Sequence, residues 1–376
     1  MKVLHIGLVS HFTDKMLYQE NVLVDMNAKA GHDVTFISDI GMYKDGTLTK
    51  TNECDVRLEN GVRLIRVRYD RIINDFITGK IQKARFIPRY LNEIRPDAIL
   101  YHGVCGYEMI DVAKYVKKYN IPFYMDSHEN FKNTAMTPIS KFAYKYIHGF
   151  FFRKARPYIR KVLYVGFPEK EYLQKMYHLK QSEMELFSLG GILLSEDSQK
   201  MYRKQIINDL GFPEDSIICA HSGKMVKGKR TEEVIKGFSS VRDARLRLII
   251  YGSIPEEMKS TLVPLIEKDE RISFLGWKTA DEQNQILGAT DLYLQPGTYS
   301  ATAQVAICDG CVTLVNEGYK ELFEDAAFYE TDASGIENVL RMIIDEPNIL
   351  VSMKEKGKII AEKKLNYESL AKRYLV

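Results

Sequence analysis

What this chain has little of already narrows its chemistry. Only five cysteines occur in 376 residues (Cys54, Cys105, Cys219, Cys308 and Cys311), an odd number set mostly in apolar runs. That usage argues against a disulfide framework and for a reducing compartment. Cys308 and Cys311 form a CxxC, but no second cysteine pair exists to complete a zinc site. They read as small residues packing a helix. No Asp-x-Asp occurs anywhere, which removes a common metal-gripping motif. No stretch reaches the roughly 18 uncharged apolar residues that a spanning helix needs. Met1-Lys2 runs straight into Val3-Leu4-His5-Ile6-Gly7, without a signal-like apolar region or cleavage site. The expected location is cytoplasmic, or peripheral to the inner membrane face. The formal charge of +3 gives no bulk argument for nucleic acid. No short repeat or low-complexity tract appears.

The composition present is that of a globular protein, 45% apolar and 27% charged, and the length suits two domains. In the first half Val3–Val9, Val34–Ile37, Val62–Val67, Ala98–Tyr101 and Ile121–Met125 read as buried strands. Helical spacing covers Tyr18–Ala30 and a basic stretch, Ile77–Ile94, that carries Lys80, Lys83, Arg85 and Arg89. Strands of this kind alternating with helices predict a doubly wound parallel α/β sheet, whose ligands bind at the carboxyl ends of the strands. The residues just past those ends are Ser10-His11, His102-Gly103 and Asp126-Ser127-His128.

The second half repeats the grammar. Strands are expected at Ile217–Ala220, Leu246–Tyr251, Ile272–Phe274, Leu292–Leu294 and Val312–Val315, with helices between them at Glu233–Phe238, Glu256–Lys268, Asp281–Leu287 and Thr302–Ile307. Gly223, Gly252, Gly276 and Gly297 follow four of these strands, which suggests close approach of a ligand to the backbone. The most telling stretch is Ser222-Gly223-Lys224-Met225-Val226-Lys227-Gly228-Lys229-Arg230, a strand-to-helix loop of glycines and lysines. Amide groups and the dipole at a helix start favour an anion, and Lys224 and Lys229 beside it make a clamp for a diphosphate. It is not the GxxxxGK[ST] loop. A solvated basic loop accounts for the same residues. The domains are expected as 1–192 and 193–365, with 366–376 returning to the first.

With those elements placed, the chain resembles a retaining GT-B glycosyltransferase of family GT4, nearly end to end. The likeness rests on the order of Tyr18-Gln19-Glu20-Asn21, Gly31-His32-Asp33-Val34-Thr35, Arg95-Pro96-Asp97, Leu100-Tyr101-His102-Gly103, Met125-Asp126-Ser127-His128-Glu129-Asn130, Gly223-Lys224 with Lys229, Gly252, Phe274-Leu275-Gly276-Trp277 and Asp291-Leu292-Tyr293-Leu294. It implies two Rossmann-like domains facing across a cleft, with no cofactor beyond a nucleotide-sugar donor, UDP- or GDP-linked. It also implies His128 beside the transferred sugar, Asp126 holding His128 or the acceptor, and Lys224 and Lys229 on the diphosphate. Gly223, Gly252, Gly276, Trp277, Thr298, Tyr299, Ser300, Ala301, Thr302 and Gln304 would line the donor, and His11, Tyr18, Gln19 and His102 the acceptor side. A final helix, 366–376, would dock on the first domain near its basic helices.

One departure matters. The family carries two glutamates eight positions apart, one on the sugar and one on the ribose, whereas the matching stretch Pro296–Gly310 has none. Gln304 stands nearest the ribose-binding position, since an amide still offers an acceptor. With no metal motif, fixed lysines and helix amides would neutralise the leaving diphosphate. The segment 141–161 holds seven Lys/Arg, seven Phe/Tyr and no acid. That composition suits an interfacial helix on anionic lipid and a polyprenyl-linked glycan acceptor in surface-polysaccharide synthesis. A solvated basic helix with its aromatics in the core suits it equally. The alternatives are a non-catalytic GT-B subunit or scaffold, motivated by the missing glutamates, and an NDP-sugar epimerase.

Overall fold

The protein is described by a computed structural model covering residues 1–14, 16, 18–44, 47–74, 77–78, 81 and 83–376. Lys80 lies outside the described residues. The chain forms two compact units: Met1–Ser188 together with Tyr367–Val376, and Leu189–Asn366.

Among the described residues the first unit has ten strands: β1 (Lys2–Gly7), β2 (Asp33–Asp39), β3 (Gly41–Lys44), β4 (Thr47–Lys50), β5 (Cys54–Arg57), β6 (Arg63–Val67), β7 (Ala98–His102), β8 (Phe123–Ser127), β9 (Val162–Tyr164) and β10 (Met184–Leu186). Eight of them make one sheet in the order β10-β9-β8-β7-β1-β2-β6-β5, and β3–β4 is a separate hairpin. All neighbours are parallel except β5 on β6. Alternate residues feed opposite faces, because successive Cβ atoms point to opposite sides of a strand. Leu4, Ile6, Ile99, Tyr101, Phe123 and Met125 pack on one face. Val3, Phe36, Leu100, Tyr124 and Leu163 pack on the other.

The basic stretch 77–94 is not one helix. Ile87–Ile94 is helical, as are 77, 78 and 81, but 83–86 are not. There the backbone finds other partners: Ala84 N–H donates to the Glu108 carboxylate, Arg85 N–H to Asp70, and Lys83 carbonyl accepts from Asp70 N–H.

The last ten residues belong to the first unit, as a short helix Tyr367–Leu370 and a 3-10 turn Arg373–Leu375. Tyr367, Leu370, Tyr374 and Leu375 are buried among Val3, Leu23, Phe36 and Phe187. The expected neighbourhood is wrong in one respect. Ile87, Leu91 and Phe152 of the basic helices cover the opposite face of the sheet. The sheet's alternation, which the tail's own spacing does not reveal, decides the side.

The second unit carries β11 (Ile217–Lys224), β12 (Leu246–Ser253), β13 (Ile272–Phe274), β14 (Leu292–Gln295), β15 (Val312–Val315) and β16 (Ala327–Tyr329). The sheet order is β13-β12-β11-β14-β15-β16, all parallel. Its central strands β14 and β15 are buried on both faces, as are most residues of β11 and β12, whereas the edge strands β13 and β16 are only partly buried. Helix starts are locally encoded. Thr279 and Glu282 form a reciprocal capping box, and Ser195 caps Glu196–Leu210, which ends at Gly211 in a left-handed conformation. The helix Ala301–Cys308 buries Ala303 and Ala306 completely. Cys308 lies against Gly191, and the Cys311 thiol donates to Leu287 carbonyl at 3.0 Å. All five cysteines are free. Among the described residues no helix is long and apolar enough to cross a membrane.

Candidate functional site

In the second unit the glycines expected at the donor fall in one row at the carboxyl ends of the strands. Gly223 pairs in register with Gly252, and Gly252 N–H donates to Gly276 carbonyl at 2.7 Å. Gly252 has φ 124°, and a Cβ there would overlap the Gly223 carbonyl, so only glycine fits. Trp277, the next residue, is 75% exposed at the end of the row.

The loop after Gly223 folds back on itself. Residues Lys227–Lys229 form a 3-10 turn, and Thr231 opens the helix Thr231–Ser240. Lys229 curls under Gly223, with its Nζ 3.1 Å from where a Cβ on that glycine would stand. No carboxylate pairs with Lys224 or Lys229 among the described residues. Burial lowers the Lys229 pKa to about 8. A half-desolvated, unpaired ammonium is costly to keep in a folded protein, and an incoming anion relieves that cost.

The segment Thr298–Gln304 lies beside this loop. A Cβ on Gly297 would overlap Gly228 carbonyl, and Thr298 Cγ2 lies 3.7 Å from the Cβ position of Gly228. A buried polar chain holds the segment in place. Ser222 Oγ and Tyr293 OH are 2.7 Å apart, Tyr293 OH donates to Gln295 Oε1, and Gln295 Nε2 donates to Thr298 carbonyl at 3.2 Å. Asn316 Nδ2 donates to Gly297 carbonyl at 2.6 Å. Gln295, Tyr293, Asn316 and Tyr319 were not foreseen in the sequence. Their roles depend on partners up to 71 positions away.

Not every expected donor group is available. Tyr319 OH accepts from Ser300 N–H and donates to Ser300 carbonyl, and its ring stacks on Tyr299 at 4.3 Å. Thr302 N–H is capped by Ser300 Oγ at 3.3 Å. The amides of Ser300 and Thr302 are therefore engaged, which leaves Ala301 N–H among the first-turn amides with no partner among the described residues. Gln304 is fully buried with neither amide atom hydrogen-bonded. It lies on the side of the helix that also buries Ala303 and Ile307.

In the first unit the strand-end residues form two groups. His11, in a left-handed conformation (φ 53°), lies 2.9 Å from an Asp39 oxygen, and Tyr43 of the hairpin packs edge-on to both His11 and Tyr18. Gln19 is turned inward, its Nε2 donating to Phe187 and Ser188 carbonyls. The second group is a buried chain. Tyr374 OH donates to Asn27 Oδ1 at 2.8 Å, and Asn27 Nδ2 donates to Ala371 carbonyl at 3.0 Å. His5 joins Asn27 Oδ1 to His102, with both contacts at 3.1 Å, and His102 Nδ1 meets Asp126 at 2.5 Å. Gly103 N–H donates to the other Asp126 oxygen at 3.0 Å.

Protons on this chain can be counted. Asn27 Oδ1 and the Asp126 carboxylate accept at the two ends, so His5 Nε2 and His102 Nδ1 must both carry hydrogens. The nitrogens between them share one more. Two imidazoles with that complement hold a single positive charge. Burial and the neighbouring His102 push His5 down to about 3, so it stays neutral. Burial opposes the charge on His102 as well, but Asp126 outweighs it and raises the His102 pKa. Burial likewise opposes the Asp126 charge, and His102 keeps its pKa below the ordinary value. Asp126 is thus bonded to His102 and Gly103 and to no atom of His128 among the described residues, which corrects the first half of the expectation that it holds His128 or the acceptor.

His128 itself is half-buried, one residue beyond β8. Its proximity favours the ionised form of Asp126, Glu129 and Glu169. Glu129 accepts from Val104 N–H at 2.9 Å and Ser127 OH at 2.7 Å, and Glu169 accepts from Asn130 at 2.7 Å. Burial raises both glutamate pKa values. Glu169 could not be linked to His128 from the sequence, being 39 positions from Asn130.

No family model matches the chain, and no curated protein matches it in sequence. Solved structures do. HepE of Anabaena, in complex with UDP, aligns over 99% of this chain and 98% of its own at 12% identity and a TM-score of 0.65. A glycosyltransferase from Rickettsia africae ESF-5 aligns over 99% and 96% at 13% identity and a TM-score of 0.67. The sucrose-phosphate synthase of Thermosynechococcus elongatus aligns over 98% and 96% at 14% identity and a TM-score of 0.62. The fold is GT-B, with two Rossmann-like parallel-sheet units, and similarity at these identities speaks for the fold.

Proposed function

We propose that the protein is a glycosyltransferase that takes a sugar from a nucleotide-sugar, UDP- or GDP-linked, with retention at the anomeric carbon and without a metal, as the resemblance to family GT4 implies. The observation that carries this reading is Lys229: its half-desolvated ammonium lies beside Gly223 with no carboxylate partner among the described residues, and its backbone packs on Gly297. HepE, which shares the fold, has been solved with UDP, with UDP and glucose, and with UDP-glucose.

In this reading Lys224, Lys229 and Ala301 N–H hold the diphosphate, and Trp277 covers the base. His128 orients the sugar. The bond between the anomeric carbon and the phosphate oxygen breaks as a bond to the acceptor oxygen forms on the same face. The acceptor proton passes to the leaving phosphate oxygen. Fixed cations aimed at that oxygen stabilise its growing charge without reorganising. His11, Tyr18 and Tyr43 are the acceptor-side group, and the acceptor is a glycan or lipid-linked glycan of a surface polysaccharide.

Lys229→Ala should weaken UDP or GDP binding about tenfold or more, since one charge-assisted contact contributes about 1.5–3 kcal/mol. The unfolding temperature should hardly move. Wild-type affinity should also fall above about pH 8, by up to tenfold per unit, because binding must then return a proton to Lys229. Calorimetry at pH 7 and pH 9.5 reads both effects. Unchanged affinity in the variant removes the diphosphate from this loop. Transfer should survive EDTA. Loss on chelation, restored by magnesium or manganese, would contradict the fixed-cation scheme.

A further inference from the structure

The segment 138–155 is a nearly continuous helix: Pro138–Phe142, a wider π-type stretch Ala143–His148, and Gly149–Ala155. Its inner side is conventional. Ala143, His148, Phe152 and Ala155 are buried, and Phe152 and Ala155 join the core of the first unit. Its outer side is not. Ile139 is 69% exposed, Phe142 58%, Tyr146 53% and Phe150 47%, and Met136 just before the helix is 65% exposed. Three of the segment's seven aromatics, Phe142, Tyr146 and Phe150, thus depart from the reading that places them in the core, and what emerges is an outward row of large apolar side chains.

Isolated exposed apolar residues need no explanation, but a contiguous row does. This row is flanked by cations. Lys132, Lys141, Lys145, Arg153 and Lys154 are all exposed, and none pairs with a carboxylate among the described residues. Lys145 lies 5.5 Å from the Tyr146 ring and Lys154 5.7 Å from the Phe150 ring. No acid occurs between 141 and 161.

We propose that this face seats on an anionic lipid bilayer, with Met136, Ile139, Phe142 and Phe150 entering the headgroup–acyl boundary and the lysines lying on the headgroups. An apolar row rimmed by cations is the pattern of an interfacial helix. A second copy of the chain fits worse, because a self-complementary contact would set cations against cations. Nucleic acid fits worse as well: the tips of Ile139 and Met136 have no flat face on which a base could stack. The proposal stands apart from the nucleotide site, which the other unit carries. Vesicle binding and UDP binding can therefore fail independently.

The test is flotation of the full chain with vesicles of phosphatidylcholine alone and with 30% phosphatidylglycerol. Expected is binding to the anionic vesicles only, weakened several-fold by 0.5 M salt. Phe142→Ser/Phe150→Ser should reduce binding about tenfold or more, and Lys141→Glu/Lys145→Glu by a similar factor. These side chains are exposed, so both variants should keep the wild-type unfolding temperature and UDP affinity. No binding to anionic vesicles, binding indifferent to lipid charge, or binding untouched by both variants would each overturn the proposal. So would tighter, variant-sensitive binding to a single-stranded oligonucleotide, or a variant-sensitive dimer in solution.

Discussion

His128→Ala should slow sugar transfer about a hundredfold while UDP affinity stays within about twofold. His128 sits one residue past a central parallel strand of the first unit, half-exposed, among Asp126, Glu129 and Glu169. Each of these carboxylates has its hydrogen bonds committed elsewhere: Asp126 to His102 and Gly103, Glu129 to Val104 and Ser127, Glu169 to Asn130. Among the described residues the His128 ring thus lies beside three acids without a hydrogen bond to any of them, as a side chain that orients a neutral sugar should. An interaction made only as the bond breaks lowers kcat and leaves binding alone. Misplacing a substrate by about 1 Å can cost on the order of a hundredfold. The nucleotide contacts proposed here lie in the other unit, so calorimetric affinity for UDP separates the two roles. Equal losses in binding and rate, or a lowered unfolding temperature, would make His128 structural.

The sequence made the sheets legible because parallel strands buried on both faces leave unbroken apolar runs, such as Leu246–Tyr251 and Leu292–Leu294. The glycines at their ends were legible as places of close backbone approach, and a Cβ on Gly252 would indeed overlap the Gly223 carbonyl. The short strands β9, β10 and β16, of three residues each, carry too few side chains to show a period, and the equally short β13 was legible only through the Gly276 turn that follows it. The strands Gly41–Lys44 and Thr47–Lys50 are short and show no apolar alternation. The chain Tyr374–Asn27–His5–His102–Asp126 could not be seen either. It links the last residues of the chain to the first strand, and only the register of β1, β7 and β8 brings its members onto one face. Asp126 and His102 looked like site residues because strand ends usually carry sites. Here the same strand end also anchors the carboxyl-terminal segment.

Asp126→Ala should therefore destabilise the first unit by about 3–5 kcal/mol, because removing one partner of a buried ion pair strands the other. Its effect on transfer should follow from lost folded protein. Native-state hydrogen exchange in β1 and β7 reads that stability within the full chain, and Asp126→Asn, which keeps an acceptor for His102, should lose less. A full rate loss with unchanged exchange would instead make Asp126 a catalytic residue. The proton count gives a sharper form of the same test. Facing the imidazole pair are Asn27, Tyr374, Asp126 and, more distantly, Glu20 and His128. The folded pair holds one proton in excess of neutrality. Below the ordinary histidine pKa of 6.5 the unfolded chain holds two, so this pair's contribution rises with pH. Above it the unfolded chain holds none, so the contribution falls until His102, with its raised pKa, gives up its own proton. The slope is about 1.4 kcal/mol per pH unit on each side. The contribution should thus peak near pH 6.5 and diminish toward about pH 3, where His5 takes its proton. Subtracting the pH profile of a His5→Gln/His102→Gln variant from that of the wild type isolates this term. A difference that is flat between pH 5 and 8, or that only rises, would mean that the buried pair carries no charge.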